Sequence, residues 1–501
     1  MQRRMWAPKI DFAQLRRDLG LVPDFSDAAE AQARSVTDRY RDQRVDRTDL
    51  ELVTIDPPGS MDLDQALRVV PLTDEPGGGF LVHYAIADVA ALVEPDSPID
   101  EASRTRGQTV YFPDGNVPLH PRALSEGLGS LLPDQVRPAV LWTVEVDRGG
   151  DCRSVQVCRA TVRSRARLDY AGVMADLRAD RLHPAVSALP DFGRTRLEWS
   201  LDRGAVQLDL PDQEIVPHAP GRAWTLRLAP RTPADQWNAQ VSLLIGMCAG
   251  RIQREAGVGL LRTLPPASAE AIGDLRDAAH HLRIPWPPEM TPGEFLASLT
   301  PEAPTTLALM SVGSRLMRGA GHLALDAESA ARSDAQVEHA GVGGVYAHVT
   351  APLRRLADRY ATEVCLAVTE GREVPDWVRA QLPALPAVMR GSDSVASAAE
   401  RRSIDLTEAV VLSDQVGRRF EAVVMRDGNG KRSPEIFIAE PAIVAPCADA
   451  PEAGNRCTVE VVEADPAIPH VAFRAVANAA GANVTGTNPT VANPTGSAGT
   501  S

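Results

Sequence analysis

An α+β multidomain fold is what this sequence predicts: mixed sheets with packed helices, followed by a small β-barrel. Three observations carry it. Short apolar runs bounded by Pro, Gly and Asp punctuate the chain from Leu52 to about Val162, as strands joined by turns do. Apolar residues at helical spacing then dominate from Thr232 to Leu412. From Val416 the runs RRFEAVVM, EIFIAE, CTVEVVEA and HVAFRAV return to short strands, and about five of them suit a small closed barrel.

The chain of 501 residues has room for about two to four domains. No apolar run reaches the roughly 18–20 residues of a membrane span. The opening MQRRMWAPKIDF has too little hydrophobic length for export, so a cytoplasmic protein is expected. Six cysteines, at 152, 158, 248, 365, 447 and 457, form no C-x-x-C pair and are expected to be reduced. A net charge of −14 argues against a general polyanion binder but leaves room for a focused basic channel. Arginine greatly outnumbers lysine, which favours forked contacts to phosphate.

Residues 1–47 read as a helical arm, with patterns at Asp11–Leu19 and Asp27–Arg44 around Gly20–Asp24; a helix-turn-helix-like element is the alternative. The stretch Glu51–Leu67, ELVTIDPPGSMDLDQAL, comes next. Leu52, Val53 and Ile55 begin a strand, Pro57-Pro58-Gly59-Ser60 break it, and the chain re-enters a strand at Ala66–Val70 and returns as Phe80–Ala87. Asp56, Asp62 and Asp64, with Gln65 beside them, cluster at this corner. Close carboxylates raise one another's pKa at roughly 1.4 kcal/mol per unit, and a divalent cation removes that cost. Oxygen ligands without Cys or His suit Mg²⁺ or Mn²⁺ rather than Zn²⁺. A solvated acidic turn is the other reading.

A helix at Ile99–Arg106 stops at Gly107, and residues 140–162 read as strands turning at Gly149-Gly150. Arg163, Arg165 and Arg167 alternate onto one strand face, fit to track a phosphate backbone or to be solvated. A capped helix starts at Thr232, residues 266–345 read as helical throughout, and another capping box lies at Thr291–Glu294. In VYAHVTAPLRRLADRYATEVCLAV (345–368) a helix starting at Pro352 would hold Arg354 and Arg355 near its N-terminus, a phosphate site or a plain surface helix start. Ser392–Leu412 reads as a further helix, and the Ala/Asn/Gly/Thr/Pro tail from 477 to 501 as disordered.

TIDPPGSMDLDQAL resembles the acidic signature of the ribonuclease II (RNB) family of exoribonucleases, T-I-D, five residues, D-x-D-D-A. Asp56, Asp62 and Asp64 fall on its first three aspartates and Gln65 on the fourth, a departure. Residues 99–140 resemble the family's D…A…RG…S-V-Y-L-P segment, which places Tyr111 at an aromatic that stacks near the RNA 3′ end; a core tyrosine is the alternative. Tyr170 takes the RNA-contacting place in L-x-Y, and Val258 the place of a second clamp aromatic. Residues 346–358 resemble Y-A-x-x-T-S-P-I-R-R-Y-A-D, with Ala351 and Leu356 departing; Arg354 corresponds to the arginine on the scissile phosphate and Arg355 adjoins it. Glu400 lies in an A-E-R helix, as an active-site neighbour or a surface partner of arginine.

The resemblance covers roughly residues 48–412, an RNB catalytic domain, with 413–476 an OB-type barrel of the ribosomal S-one kind whose stacking candidates are Phe420, Phe437 and Phe473. The arm is too short for the paired cold-shock barrels that often precede that domain. The resemblance implies a monomeric Mg²⁺-dependent exonuclease acting on single-stranded RNA 3′ ends, without an obligate protein partner, and releasing nucleoside 5′-monophosphates. In it Asp56, Asp62, Asp64 and Gln65 face metal, Arg354 assists catalysis, and Tyr111, Tyr170, Arg354, Arg355 and Glu400 meet RNA. A non-catalytic RNA-binding protein on a decayed exonuclease frame, and a metal phosphoesterase for small nucleotides or DNA, stand beside it.

Overall fold

The computed structural model describes residues 6–7, 10–72, 78–206, 208, 212–217, 223–229, 231–300, 303–326, 337–429 and 432–476. The tail 477–501 lies outside them. Helix α1 (Ala13–Asp18) and helix α2 (Asp27–Ser35) open the chain, α2 capped by Ser26, whose side chain accepts from the Ala29 N–H. The second helix is shorter than its sequence pattern. Arg44 is instead drawn into the interior, where it pairs with Asp38 at 2.5 Å and Asp88 at 2.8 Å.

A six-stranded mixed sheet follows, from β1 (Val45–Asp46), β2 (Leu52–Ile55), β3 (Gln65–Pro71), β4 (Phe80–Ala87), β7 (Val136–Val146) and β8 (Cys152–Leu168), in the order β1-β8-β2-β3-β4-β7. Strands β7 and β8 also pair, so the end strand β7 closes back onto β8. The hairpin of β5 (Val110–Phe112) and β6 (Gly115–Val117) stands outside it. Strand β8 runs antiparallel to β7 and parallel to β2, with Leu168 opposite Ile55. The β3–β4 register sets Leu67 across from Tyr84, and Trp142 and Tyr84 are buried where the sheet meets the helices.

Beyond the sheet lie α3 (Val89–Leu92), α4 (Pro98–Arg106), α5 (Tyr170–Arg178), α6 (Leu189–Asp202) and α7 (Pro233–Ala256). The Thr232–Asp235 capping box starts α7 and Gly257, in the left-handed region, ends it. Two glycines of α7 let another segment lie against it. A Cβ on Gly250 would sit 2.7 Å from the Tyr346 backbone N, and one on Gly246 would overlap the Tyr346 ring.

Residues 266–345 are not helical throughout. After α8 (Ala269–His281), α9 (Pro292–Ala297) and α10 (Pro304–Gly313), the strand β12 (Gly321–Leu325) pairs with β11 (Gly259–Thr263), and β13 (Glu338–His339) with β14 (Gly344–Val345). So short an apolar run carries no period that separates strand from helix. The hairpin β9 (Asp212–Pro217) and β10 (Trp224–Ala229) was likewise not foreseen. Helix α11 is Leu356–Thr369, α12 is Asp376–Gln381 and α13 is Leu385–Leu412. Helix α11 begins after Arg355 rather than at Pro352, and α13 begins ahead of Ser392 because Pro386 suits its first turn.

Strands β15 (Arg419–Arg426), β16 (Glu435–Ile438), β17 (Ile443–Ala448), β18 (Arg456–Asp465) and β19 (His470–Ala475) close a barrel in the order β15-β16-β17-β19-β18. Phe437 and Phe473 fill its interior, which removes them as base-stacking faces. Phe420 stays partly exposed beside a cavity of ≈ 930 Å³ between the barrel and β10.

A buried ion network ties these parts. Asp88 receives Arg44 at 2.8 Å and Arg159 of β8 at 2.5 Å, and Arg159 reaches Glu363 of α11 at 2.5 Å, every side chain at most 4% exposed. Truncating Asp88 to Ala would leave two guanidiniums short of their counter-charge. Removing one partner of a buried pair costs about 3–5 kcal/mol, so Asp88→Ala should lower the unfolding free energy in a urea titration by that much; an unchanged midpoint would refute the network's structural weight.

Candidate active site

The acidic corner is shaped by backbone demands. Strand β2 ends as the Asp56 N–H pairs with the Leu168 carbonyl at 3.1 Å. Two prolines, which have no N–H to give, and Gly59 at φ 90° then turn the chain out of the sheet. Ser130 pins the far side, accepting from the Leu63 N–H at 3.0 Å and donating to the Met61 carbonyl at 2.7 Å. Leu63 is fully buried, so its neighbours Asp62 and Asp64 are anchored with it.

The segment preceding α11 closes over this corner. Leu353 donates its N–H to Asp64 Oδ1 at 2.7 Å, and Arg354 Nε lies 3.5 Å from Asp64 Oδ2. Gln65 donates its side-chain amide to the Thr350 carbonyl at 2.5 Å. The Asp358 carboxylate accepts from the Ala351 N–H at 2.7 Å and from Arg355 at 2.8 Å, which shapes the turn. Backbone bonds from Thr109 to the Arg354 carbonyl and from Leu356 to the Gly107 carbonyl, each 2.9 Å, fasten it to the chain entering β5. Tyr111, on β5, donates its hydroxyl to Asp62 Oδ2 at 3.2 Å while 49% of the residue stays exposed, so it is no core tyrosine.

Electrostatics set the two inner carboxyls apart. Burial pushes Asp64, 4% exposed, well above the usual range; Arg354 and the Leu353 N–H oppose that, and Asp62 adds to it. Asp56 is pushed up to about 6, first by burial and then by Asp62, against the pull of Arg354 and Arg167. Its Oδ2 is buried without a hydrogen-bond partner. An orphaned carboxylate oxygen among acids held above their normal range is chemistry that a hard divalent cation satisfies. Among the described residues, however, no group of three or more His, Cys, Asp or Glu side chains is gathered so as to hold a metal ion. Asp64 faces Leu353 and Arg354 while Asp62 faces Tyr111, so ligation would require these carboxylates to turn inward.

Gln65 lies beside the aspartates but spends its amide hydrogen on the opposing backbone. Arg354 is free to act, its side chain 45% exposed, whereas Arg355 is engaged by Asp358 and serves the turn. Tyr170 starts α5 and accepts from Asn238 Nδ2 at 3.4 Å; burial raises its hydroxyl and Asp56 adds to that, so it borders the site. Val258 packs against the core of α11 and α12 and presents no stacking surface. Of the expected row, Arg163 has its Nε buried, Arg165 donates to the Thr48 carbonyl at 2.5 Å and Arg167 to the Ser60 carbonyl at 2.9 Å, so the three do not form one free row; Arg159 is buried in the ion network.

A cleft of ≈ 690 Å³ opens from Tyr111, Arg354 and Arg355 toward α13, where Asp393 and Glu400 stand on its wall. Ser130, Gln108, Arg262 and Asp393 belong to this neighbourhood and were not singled out from the sequence. Gln108 and Ser130 lie in the 99–140 segment and Asp393 in the Ser392–Leu412 helix, but a lone Ser, Gln or Asp carries no local sign of what it will meet.

The RNB domain family matches residues 44–370, and the RNase II-type exonuclease C-terminal S1 domain matches residues 418–476. Ribonuclease R of Escherichia coli (strain K12) is 27% identical over 412 residues, 76% of this chain and 48% of that protein. The chain thus spans about half the length of the curated relatives it matches. Mycoplasma genitalium RNase R, solved with ribose-methylated single-stranded RNA, superposes with a TM-score of 0.81 at 19% identity, covering 92% of this chain and 77% of that one. Yeast Ssd1, described as a pseudonuclease, superposes at 0.65 with 16% identity, covering 82% of this chain and 51% of that one. The same fold therefore serves a protein that holds RNA and one described as a pseudonuclease. With most of its length matched by the family's catalytic domain and its end by the family's barrel, this chain belongs to the RNB family.

Proposed function

We propose that this chain is a divalent-metal-dependent 3′→5′ exoribonuclease that hydrolyses single-stranded RNA to nucleoside 5′-monophosphates. The observation that carries the reading is that Arg354 and Tyr111, which line one cleft, contact Asp64 and Asp62 respectively, with Asp56 close enough to feel both Asp62 and Arg354. Mg²⁺, or Mn²⁺, held there by Asp56, Asp62 and Asp64, would lower the pKa of a bound water and offset charge on the phosphate. Arg354 offers its exposed guanidinium to the phosphate, where it can stabilise charge that develops in the transition state. Tyr111 presents a ring for stacking on a terminal base, and its bond to Asp62 orients that carboxylate. Tyr170 lies close enough to Asp56 and Arg354 to feel both charges, on the side from which it would contact RNA. Glu400 lines the same cleft and would accept from a ribose hydroxyl, while Arg355 supports the turn that carries Arg354. The reading carries with it a cytoplasmic monomer with no obligate protein partner, whose domains are the arm 1–47, the catalytic unit 48–412 and the RNA-binding barrel 413–476.

One observation favours a second reading, an RNA-binding protein on a decayed exonuclease frame. Gln65 brings no charge to the acidic group and its amide is spent on Thr350. A 5′-labelled RNA oligomer incubated with Mg²⁺ or with EDTA separates the two. The exonuclease shortens it to a limit product only with the metal; an intact but bound oligomer with Mg²⁺ and with Mn²⁺ establishes the second reading. A DNA oligomer cut equally well would point instead to a general phosphodiesterase.

Asp64→Asn keeps an oxygen for the Leu353 N–H, so RNA affinity should hold while turnover disappears; affinity falling in step would contradict its role. Arg354→Ala should lower kcat by about 10²–10³-fold, the scale for losing one transition-state donor, with little change in RNA affinity. Because the Asp56 carboxyl is held at about 6 in the fold against 3.8 ordinarily, the folded state retains a proton that the unfolded chain releases between those values. Metal-free protein should therefore lose stability as pH rises from about 4 to about 6, and Asp56→Asn should flatten that slope. The rise in Tm on adding Mg²⁺ should grow as pH passes 6; a rise independent of pH would remove Asp56 from the metal set.

A further inference from the structure

At the end of β8 opposite the acidic corner, two thiols meet. Cys152 begins β8 and is partly exposed; Cys248 lies within α7 and is 3% exposed. Their sulfurs are 3.6 Å apart, with the Cys248 thiol donating to Cys152. Proximity alone would be ordinary core packing, but the charges around the pair are not ordinary.

Arg196 of α6 is 2% exposed. Its Nη1 donates to the Gly150 carbonyl at 2.6 Å, its Nη2 points to the Met247 sulfur at 3.5 Å, and its Nε has no partner. Burial pulls its pKa down to about 10, and the groups that counter this are Cys248, Asp151 and Cys152. Asp151 is already engaged by Trp199 and Arg203, each at 2.9 Å. A buried guanidinium lacking a full counter-charge is costly, and a thiolate beside it relieves that cost. Arg251, on the solvent side, reaches the Cys152 sulfur at 3.7 Å. The Cys248 hydrogen bond foremost, with Arg251 assisting, brings the Cys152 thiol down to about 6, while the donor Cys248 is held protonated and pushed well up.

We propose that Cys152 and Cys248 form a peroxide-responsive dithiol that closes to a reversible disulfide and ties the start of β8 to α7. The Cys152 thiolate attacks a hydroperoxide oxygen; the S–O bond forms, the O–O bond breaks, and the alcohol or water leaves with a proton from solvent. Cys248 sulfur then attacks the Cys152 sulfenic sulfur, forming S–S and breaking S–O, and its proton leaves with the hydroxide as water. Two thiols are oxidised to one disulfide and one hydroperoxide is reduced. The sulfurs need only close from 3.6 Å to about 2.05 Å. A dithiol reductant returns the pair.

The test uses the full chain and hydrogen peroxide, followed by alkylation and peptide mapping without reduction. The expected result is a Cys152–Cys248 cross-linked peptide, two fewer alkylated cysteines out of six, and full reversal by dithiothreitol. Cys248→Ser should stop at the first step, leaving a sulfenic acid at Cys152 that dimedone captures. Arg251→Ala should move the pH midpoint of Cys152 labelling upward from about 6. Cys152 and Cys248 staying alkylatable after peroxide, at the level of untreated protein, would overturn the proposal. So would capture of the sulfenic acid at another cysteine instead.

Discussion

The carboxyl group of Asp64 is the constraint on which the site depends. It is buried by the Leu63 anchor on one side and by the segment before α11 on the other, and a buried carboxylate must be given partners or stay protonated. Leu353, 289 residues away in the chain, and Arg354 beside it provide them. That single group therefore fixes where the arginine turn lies relative to the aspartates. Gln65 reinforces the same join from the next residue, through the Thr350 carbonyl. An aspartate in its place would set a carboxylate against a carbonyl oxygen, so the amide at this position is a structural asset even as it dilutes the acidic set.

The arginines divide by what surrounds them. Arg44, Arg159 and Arg359 are buried against Asp38, Asp88, Glu363 and Asp100 and hold the arm, sheet and α11 together. Arg355 belongs to its own helix through Asp358. Arg354, half-exposed at the cleft, keeps only a long contact to Asp64 and is the one of these placed to meet an outside anion. A net charge of −14 does not by itself exclude a local site for an anion at Arg354, because a field is set by local arrangement and not by the sum. Among the barrel's three phenylalanines only Phe420 is partly exposed, so the barrel shows less aromatic surface than Tyr111 does at the cleft.

Much of this was legible in the residues. Prolines after Ile55, the Thr232 and Thr291 capping boxes and the alternating runs after Val416 act through the local backbone, and the structure follows each of them. Local signals failed where tertiary contacts outweighed them. The helix expected to run on from Ser35 to Arg44 stops at Ser35, because Val36 turns extended and Arg44 seeks buried carboxylates. Gly321–Leu325 is a strand because β11 offers it an edge to pair with.

By itself the sequence determined the acidic motif, the arginine turn and the order of domains, since each is written in neighbouring residues whose turn and strand preferences are short-ranged. Only the tertiary structure decided which arginines are spent inside and which face the cleft, that Gln65 clasps Thr350, that Val258 packs against the α11 core, and that Cys152 meets Cys248. The physical reason is the same in each case. Burial and long-range pairing set the charge state and freedom of a side chain, and no local pattern reports which distant group will share its surroundings.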